Sequence, residues 1–402
     1  MKLLSLIICS LTALGNQWGL KECIEYALEN NFSVLKSYIN VKEATSSLES
    51  SYLSLAPSLS LGAGYGFTEG SLSATVSATY SLNETVEGGF GIAYAKSDAA
   101  IATVRHGLER DRIVLSVLEA YMNILLCKEL VTIAETGYDS ALSMKREVEA
   151  LVLEGRRAES ALAEIESQVT GEMVNLVTCR SDLRREREKL RLILSLPYSE
   201  YTGSEFDISG EEFSSEEMVS QDYSDPASFI YYVENMKIPT LELKQSDLTY
   251  KLSFLSSLPR VGIGFVWYPT SPQNRYFNLS LTLPILDSGR CIRSINKARL
   301  GKQRAELELK SQEEGIKSEI IFKMAELFDS RQEYLAATSE YEAAVENGRI
   351  ATERFREGLI STREYSIEMN RLTEAKSNMT RARYIMLFRK KVLDYYRDKS
   401  IY

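Results

Sequence analysis

Two long stretches of this chain, from Phe90 to Leu153 and from Asp287 to Phe355, carry helical patterns without a proline. Proline breaks the interior of a helix, so its absence allows each stretch to form one continuous helix. At a rise of about 1.5 Å per residue, such helices would extend roughly 95–105 Å. Because this length exceeds any globular core, the helices must pack lengthwise against partners. The sequence therefore predicts a mainly helical chain.

Apolar residues recur at the spacing of a coiled coil in the second of these stretches and in the segment that follows it. One series keeps a step of seven without a break: Tyr365, Leu372, Met379, Met386 and Leu393. A second series keeps the same step, interrupted only where Gly348 replaces an apolar residue: Ile320, Leu327, Tyr334, Tyr341 and Phe355. Such seams predict long antiparallel helices that pack as coiled coils.

Four short segments have the alternation of β-strands: Ser58–Phe67, Ser71–Leu82, Arg260–Tyr268 and Tyr276–Pro284. In the first of them, Leu59 and Leu61 alternate with Ser58 and Ser60, which puts apolar side chains on one face and polar ones on the other. Each segment approaches the length of about 9–11 residues that a tilted transmembrane strand needs. The four segments are therefore candidates for membrane strands.

The two halves of the chain repeat the same order of predicted elements. Pro57 and Pro259 each precede a strand-like segment, and Gly155 and Gly358 each interrupt a long helical pattern at a similar distance further on. Each half would contain a helix, two strands and a long helical hairpin. We therefore predict two repeats, over residues 16–197 and 226–402.

The N-terminus has the pattern of a secretory signal. Lys2 precedes an apolar run from Leu3 to Leu14, which is too short to span a bilayer. We predict a signal peptide over residues 1–15, with a buried first helix as the alternative. Further along, residues 198–225 hold many acidic side chains and neither Lys nor Arg, which predicts a solvated connector between the repeats.

Beyond the signal, the sequence has no apolar run of the roughly 18 residues that a transmembrane helix needs, so any entry into a membrane would use the strands. Membrane barrels begin at about eight strands, and an open edge in lipid leaves backbone groups unsatisfied. Several copies would therefore have to share one barrel. A coiled-coil scaffold is the alternative, but strand pairs at matching positions before each long helix oppose it.

The composition argues against several functional classes. A net charge of −9 disfavours a nucleic-acid partner. The single histidine, His106, has no nearby thiol, serine motif or acidic cluster, so we predict no enzymatic activity, no cofactor and no metal site. Four cysteines follow the signal without metal-ligand spacing: Cys23, Cys127, Cys179 and Cys291. Disulfides among them stay open, although packing roles are favoured.

Several segments resemble motifs of the TolC-like outer-membrane efflux protein family across nearly the whole mature length: Leu20–Asn31, Pro57–Leu61, Pro284–Gly289 and Phe355–Ser361. The first resembles the opening helix of the family, although Phe32 stands where a proline is usual. The third resembles a strand-to-helix corner, which the first repeat replaces with Ser81-Leu-Asn-Glu-Thr. The last resembles a hairpin tip at which Gly-Leu-x-Ser meets a periplasmic adaptor, and the tip at Gly155 departs from that pattern.

This resemblance implies a homotrimer with a long antiparallel coiled-coil helical barrel and four strands per subunit of a shared β-barrel. The function that it implies is an exit duct in outer-membrane lipid with a long periplasmic portion. Such a duct passively conducts substrates from an inner-membrane transporter and a periplasmic adaptor to the exterior, by efflux or type I secretion. A periplasmic coiled-coil scaffold without a pore is the alternative. The cargo, the identity of pump and adaptor, and the resting state stay open.

The resemblance also assigns residues near the tips. Gly358, Leu359 and Ser361 would contact the adaptor, and Glu364 stands where the family often has an acidic residue that faces the pore constriction. There it would form a cation-selecting ring, and the alternative is a solvated helix charge. Gly155 suits a hairpin turn, because positive φ costs little only for glycine.

Arginines crowd both predicted tips: Arg156 and Arg157 at the first, and Arg349, Arg354, Arg356 and Arg363 at the second. Such charges usually form a wet surface. The alternative is that they pair across helices and hold a closed state, since breaking such pairs would ease dilation.

Overall fold

A computed structural model describes residues 18–66, 71–197, 226–255, 258–270, 273–282 and 289–399. The predicted signal peptide and acidic connector lie outside the described residues. So does most of the Pro284–Gly289 corner.

The helices and strands occur in the predicted order. The first half contains α1 (Leu20–Asn30), α2 (Phe32–Leu53), β1 (Ser58–Gly66), β2 (Ser71–Ser81), α3 (Leu82–Leu153) and α4 (Ser160–Leu194). The second half contains α5 (Ile230–Asn235), α6 (Lys237–Leu255), β3 (Arg260–Trp267), β4 (Arg275–Thr282), α7 (Arg290–Arg356) and α8 (Thr362–Asp398). The predicted fold class, mainly α with four strands, is confirmed. The repeat boundaries stay a prediction.

The two long helices are continuous, with 72 residues in α3 and 67 in α7. The first begins earlier than Phe90, directly after β2. There the Ser81 hydroxyl accepts a hydrogen bond of 3.4 Å from the Glu84 backbone N–H, as an N-cap does. The serine cap thus allows the chain to pass from strand to helix without the corner motif of the second half. Among the described residues, no helix is both long and apolar enough to cross a bilayer.

Asn31 separates α1 from α2. It directly precedes Phe32, the position at which the family resemblance leads one to expect a proline. Its side-chain oxygen accepts a hydrogen bond of 2.8 Å from the Ser33 N–H and so caps α2. Its amide donates one of 2.7 Å to the Ile193 carbonyl in the last turn of α4. Phe32 occupies the first position of α2, where proline is favoured because its missing N–H needs no partner. The asparagine cap makes the proline dispensable.

The four strands form one antiparallel sheet in the order β1-β2-β3-β4. The registers pair Leu61 with Val76, Ala78 with Phe265, and Ile263 with Leu279. Within the described residues, β1 and β4 each pair with a single strand and are the sheet's edges.

The chain divides into two compact units, each with segments from both halves of the sequence. The first unit takes its described residues from Met1–Val34, Arg110–Ile230 and Glu319–Tyr402. Its core includes the fully buried Leu118, Tyr121, Ile124, Leu190, Ile320 and Leu393. The second unit consists of Leu35–Glu109 and Tyr231–Ser318 and contains the sheet.

Candidate functional site: hairpin tips and sheet

Both helical hairpins in the first unit turn at a glycine with positive φ, +73° at Gly155 and +78° at Gly358. At the first tip, Gly155 donates to the Val152 carbonyl at 2.9 Å and Arg156 donates to the Leu151 carbonyl at 2.9 Å. The second tip repeats this pair of bonds, from Gly358 to Phe355 at 3.0 Å and from Leu359 to Arg354 at 2.9 Å. These are Schellman motifs, in which glycine avoids the strain of a left-handed residue. Both glycines therefore lie in the turns where the sequence places them.

The residues after Gly358 divide between surface and core. Leu359 is 69% exposed, whereas the next residue, Ile360, packs against the apolar cluster below the tips. Ser361 is the N-cap of α8, because its hydroxyl accepts a hydrogen bond of 3.2 Å from the Glu364 N–H. The tip thus presents one apolar side chain to its surroundings on a rigid turn.

An apolar cluster holds the two hairpins together just below their tips. Its buried members come from α3, α4, α7 and α8: Val148, Ala161, Ile165, Ala351, Phe355 and Tyr365. The Phe355 and Tyr365 rings pack against each other at an interplanar angle of 35°, with centroids 4.8 Å apart. Burial raises the pKa of the Tyr365 phenol, so its ring stays neutral at ordinary pH. The cluster anchors both turns on one shared core.

Arg157 of the first tip reaches across to the second. Its guanidinium lies 4.3 Å from the centre of the Phe355 ring. The same group donates hydrogen bonds to the Phe355 carbonyl at 3.1 Å and the Ile360 carbonyl at 3.3 Å. The Phe355 carbonyl belongs to the last turn of α7, where the helix dipole favours a cation. Arg157 is therefore a cross-link between the two hairpins.

Two other tip arginines pair within their own segments. Arg349 forms ion pairs with Glu346 at 2.7 Å and Glu353 at 2.6 Å along α7. Arg156 pairs with Glu154 at 3.5 Å, with 67% of its own side chain exposed. None of these three ion pairs joins the hairpins. Arg157 therefore joins the hairpins through two carbonyl groups and an aromatic ring, and not through a carboxylate.

Glu364, the candidate constriction residue, closes a capping box with Ser361. Its carboxylate accepts hydrogen bonds from the Ser361 N–H at 2.8 Å and the Ser361 hydroxyl at 3.0 Å. These bonds, that from the backbone N–H first, hold the pKa of Glu364 below its usual value. In the single chain, the carboxylate is exposed and charged at neutral pH, with its oxygens directed to the start of α8.

The sheet in the second unit has two faces of opposite character. Strand alternation and register put on one face Leu59, Leu61, Ala63, Tyr65, Leu72, Ala74, Val76, Ala78, Tyr80, Val261, Ile263, Phe265, Trp267, Phe277, Leu279 and Leu281. Arg275, at the start of β4, is the exception on this face. Leu61 is 76% exposed and Phe277 is 80% exposed. A single chain thus leaves a wide apolar surface without cover.

Small polar residues dominate the opposite face: Ser58, Ser60, Gly62, Gly64, Ser73, Thr75, Ser77, Thr79, Gly262, Gly264, Asn278, Ser280 and Thr282. Their hydroxyls join neighbouring strands, as between Ser60 and Ser77 at 2.6 Å. Arg260 stands at one end of this face. The aromatic residues near the strand ends divide between the faces: Tyr65 and Trp267 lie on the apolar face, and Tyr276 lies on the polar one.

The remaining residues with reactive side chains lie apart from these features. His106 forms a hydrogen bond of 2.7 Å between its Nδ1 and the Ser37 hydroxyl. Cys23, Cys127, Cys179 and Cys291 are free thiols. Within the described ranges, no group of His, Cys, Asp and Glu could hold a metal ion.

No protein-family model and no curated protein matches the sequence. Solved structures match the fold at low sequence identity. The CmeC outer membrane channel of Campylobacter jejuni has a TM-score of 0.78 and 16% identity, over 93% of this chain and 84% of that one. The outer membrane protein VceC of Vibrio cholerae has a TM-score of 0.77 and 14% identity, over 93% and 94% of the two chains.

The open state of the MtrE outer membrane channel of Neisseria gonorrhoeae has a TM-score of 0.78 and 14% identity, over 95% of this chain and 90% of that one. These likenesses extend over nearly the full length of each chain. They agree with the family resemblance that the sequence motifs indicate. The chain therefore has the fold of the TolC-like outer-membrane channels.

Proposed function

We propose that this protein is an outer-membrane exit duct that passively conducts substrates delivered by an inner-membrane transporter and a periplasmic adaptor. The observation that carries the proposal is the four-stranded sheet, with one apolar face, one small polar face and two open edges. CmeC and MtrE, which share the fold, are outer-membrane channels. The chain has no catalytic role in this proposal.

The open edges support assembly from several copies. A sheet edge in lipid leaves backbone N–H and C=O groups without partners, at a cost of several kcal/mol each. In the proposed homotrimer, β1 of one copy pairs with β4 of the next, and three sheets of four strands close one barrel. The apolar face then meets lipid, and the serine, threonine and glycine face lines the water-filled conduit.

The alternative function is a periplasmic coiled-coil scaffold without a pore. A scaffold would leave the apolar sheet face exposed to water, whereas the duct places that face against lipid. Two measurements on the purified full chain separate the proposals. The duct requires heat-modifiable trimers in outer-membrane fractions and stepwise conductance in planar bilayers. A water-soluble monomer without conductance would refute the duct and leave the scaffold.

We also propose that the second tip contacts the adaptor, through Gly358, Leu359 and Ser361. A rigid glycine turn that holds an exposed leucine suits an apolar anchor in a protein interface. We expect Leu359→Asp to weaken adaptor binding at least tenfold, because the carboxylate must be desolvated at the contact. Leu153→Asp, at an exposed leucine of the first tip, is the control with an expected change below twofold. The assay is pull-down and photo-cross-linking with the cognate adaptor, and equal loss in both variants would contradict the assignment to the second tip.

Glu364 tests the proposed cation-selecting ring. In that proposal, symmetry repeats the carboxylate around the constriction, so Glu364→Gln is expected to reduce cation preference in the reversal potential across a salt gradient. Glutamine can still close the capping box, so a folding defect does not obscure this measurement. Unchanged ion selectivity would reject the ring and leave the capping role.

The cap itself predicts a pH dependence. Because the pKa of Glu364 is lowered in the folded chain, its stabilising contribution is present above the usual glutamate pKa of about 4.3 and is lost as pH falls through the lowered value. The stability difference between the wild type and Glu364→Ala should therefore shrink in acid.

A further inference from the structure

The apolar face of the sheet carries a single charged side chain, that of Arg275. The four strands contain one other charged residue, Arg260, which lies on the polar face. No acidic residue belongs to these strands. The rest of the apolar face consists of aliphatic and aromatic side chains, so Arg275 requires an explanation of its own.

Arg275 lies at the end of the sheet opposite the helix connections. It is the first residue of β4 and pairs in register with Trp267, the last residue of β3. All four connections to helices leave from the other end of the strands, because α2 and α6 precede β1 and β3, and α3 and α7 follow β2 and β4. In the proposed duct the helices extend into the periplasm. The end with Arg275 would therefore face the exterior.

The neighbours of Arg275 indicate the depth at which its side chain would lie. Phe277, two residues further along β4 on the same face, is 80% exposed and begins the apolar part of this strand. Two residues correspond to about 6–7 Å along a strand. Trp267 stands opposite Arg275, and tryptophan is enriched where a membrane meets water. The guanidinium would thus lie at the exterior boundary of the lipid, where an arginine is tolerated far better than at the midplane.

The guanidinium of Arg275 lacks a partner within the described part of the chain. It is exposed, and it forms no hydrogen bond, ion pair or ring contact with any residue that the structure describes. Its backbone is held in place, because the Arg275 N–H donates to the Gln273 carbonyl at 3.2 Å and the Tyr268 N–H donates to the Asn274 carbonyl at 3.2 Å. A lipid phosphate at this depth would supply acceptors that match the forked donors of a guanidinium.

We propose that Arg275 binds the phosphate group of an anionic lipid in the exterior leaflet, beside the Trp267 ring. The charge of the side chain selects the head group, and Phe277 and Leu279 contact the acyl chains below it. The inference rests on the proposed duct, since only a sheet inside a membrane brings a lipid to this face. A trimer would carry three equivalent sites around its barrel.

Trp267 provides a probe within the proposed site, because the chain has only one other tryptophan, Trp18. Trp18→Phe keeps an aromatic ring against Tyr26 and leaves Trp267 as the sole tryptophan, so this variant is the reference chain. The full reference chain is reconstituted in vesicles of phosphatidylcholine with increasing shares of phosphatidic acid. Bromine atoms near the head group of either lipid quench a tryptophan in contact with it. We expect phosphatidic acid to bind beside Trp267 about fivefold more tightly than phosphatidylcholine, the factor that one arginine near an anionic surface contributes.

Arg275→Gln in the reference chain should lower this preference to about one, because glutamine stays polar but carries no charge. Arg260→Gln is the matched control, since it removes the other arginine of the sheet, from the polar face and the opposite end. It should keep the full preference. Arg275→Lys should keep part of it, because lysine retains the charge but not the fork. Excess inorganic phosphate in the buffer should not compete, because it lacks the acyl chains.

A reference chain without preference, or an undiminished preference in Arg275→Gln, would overturn the proposal. Equal loss in Arg260→Gln would also overturn it, because the preference would then follow net charge instead of a site. Competition by inorganic phosphate would replace the lipid site with a site for free phosphate. Heat-modifiable trimers report the assembly of each variant before its lipid preference is measured.

Failure of the duct itself has a different signature. If the sheet does not lie in lipid, brominated phosphatidylcholine will not quench Trp267 at all, and both proposals fall together. Normal quenching by phosphatidylcholine without a preference for phosphatidic acid would leave the duct intact and reject only the lipid site.

Discussion

Leu61→Arg is expected to abolish stable membrane assembly of the proposed duct. Leu61 lies near the middle of β1 on the apolar face and is 76% exposed in the single chain. An arginine on the lipid side of a membrane strand costs about 2–4 kcal/mol near the bilayer midplane. This cost corresponds to a roughly 30- to 700-fold shift in the insertion equilibrium for each copy. Heat-modifiable trimers in outer-membrane fractions should accordingly fall below detection.

Ser60→Arg is the matched control, since it introduces the same side chain at the neighbouring position on the opposite face. Ser60 would face the conduit, where water solvates a guanidinium, so trimers should form in normal amounts and only conductance should change. Equal loss of trimers in both variants would contradict the assignment of the faces. Normal assembly of Leu61→Arg would contradict the membrane role of the sheet itself.

Arg157→Ala is expected to destabilise the contact between the two hairpin tips by about 2–3 kcal/mol, measured as a loss in the free energy of unfolding. A partly buried cation over an aromatic ring contributes about 1 kcal/mol, and hydrogen bonds from a charged donor add about 1.5 kcal/mol or more. The substitution removes both kinds of contact with Phe355 and the bond to the Ile360 carbonyl. In the proposed duct, the freed tips should also lengthen open times in bilayer recordings.

Arg157→Lys separates charge from geometry. Lysine keeps the positive charge but cannot stack its head group on the ring and donate to two carbonyls at once, so it should recover less than half of the loss. Arg156→Ala is the control, because its exposed pair with Glu154 contributes at most about 0.5 kcal/mol. If Arg156→Ala and Arg157→Ala are equally destabilising, the cross-link has no special role.

Local patterns in the sequence were sufficient to predict the helices and strands of this fold. The absence of proline predicted the continuous helices α3 and α7, and the heptad series predicted the coiled-coil packing of α7 and α8. Alternation predicted the four strands to within a few residues of their observed ends. The glycine turns at Gly155 and Gly358 were also predictable, because positive φ limits the choice of residue. The capping box at Ser361 and Glu364 also has a sequence signature, a serine followed three residues later by a glutamate. The assignment of Glu364 to the pore rested on the family resemblance and did not use this signature.

Contacts between distant segments could not be predicted in this way. No spacing in the sequence indicates that Arg157 reaches Phe355 or that Asn31 bonds to Ile193. Each of these contacts joins segments that are far apart along the chain, and several helix pairings would satisfy the same heptad pattern.

By itself the sequence determined the helices, the strands and their order, because periodicity and backbone restrictions act over a few neighbouring residues. The tertiary structure alone decided which strands pair and which residues join the hairpin tips. The physical reason is that burial and pairing depend on what the rest of the chain places beside a residue, and local sequence carries no record of those neighbours.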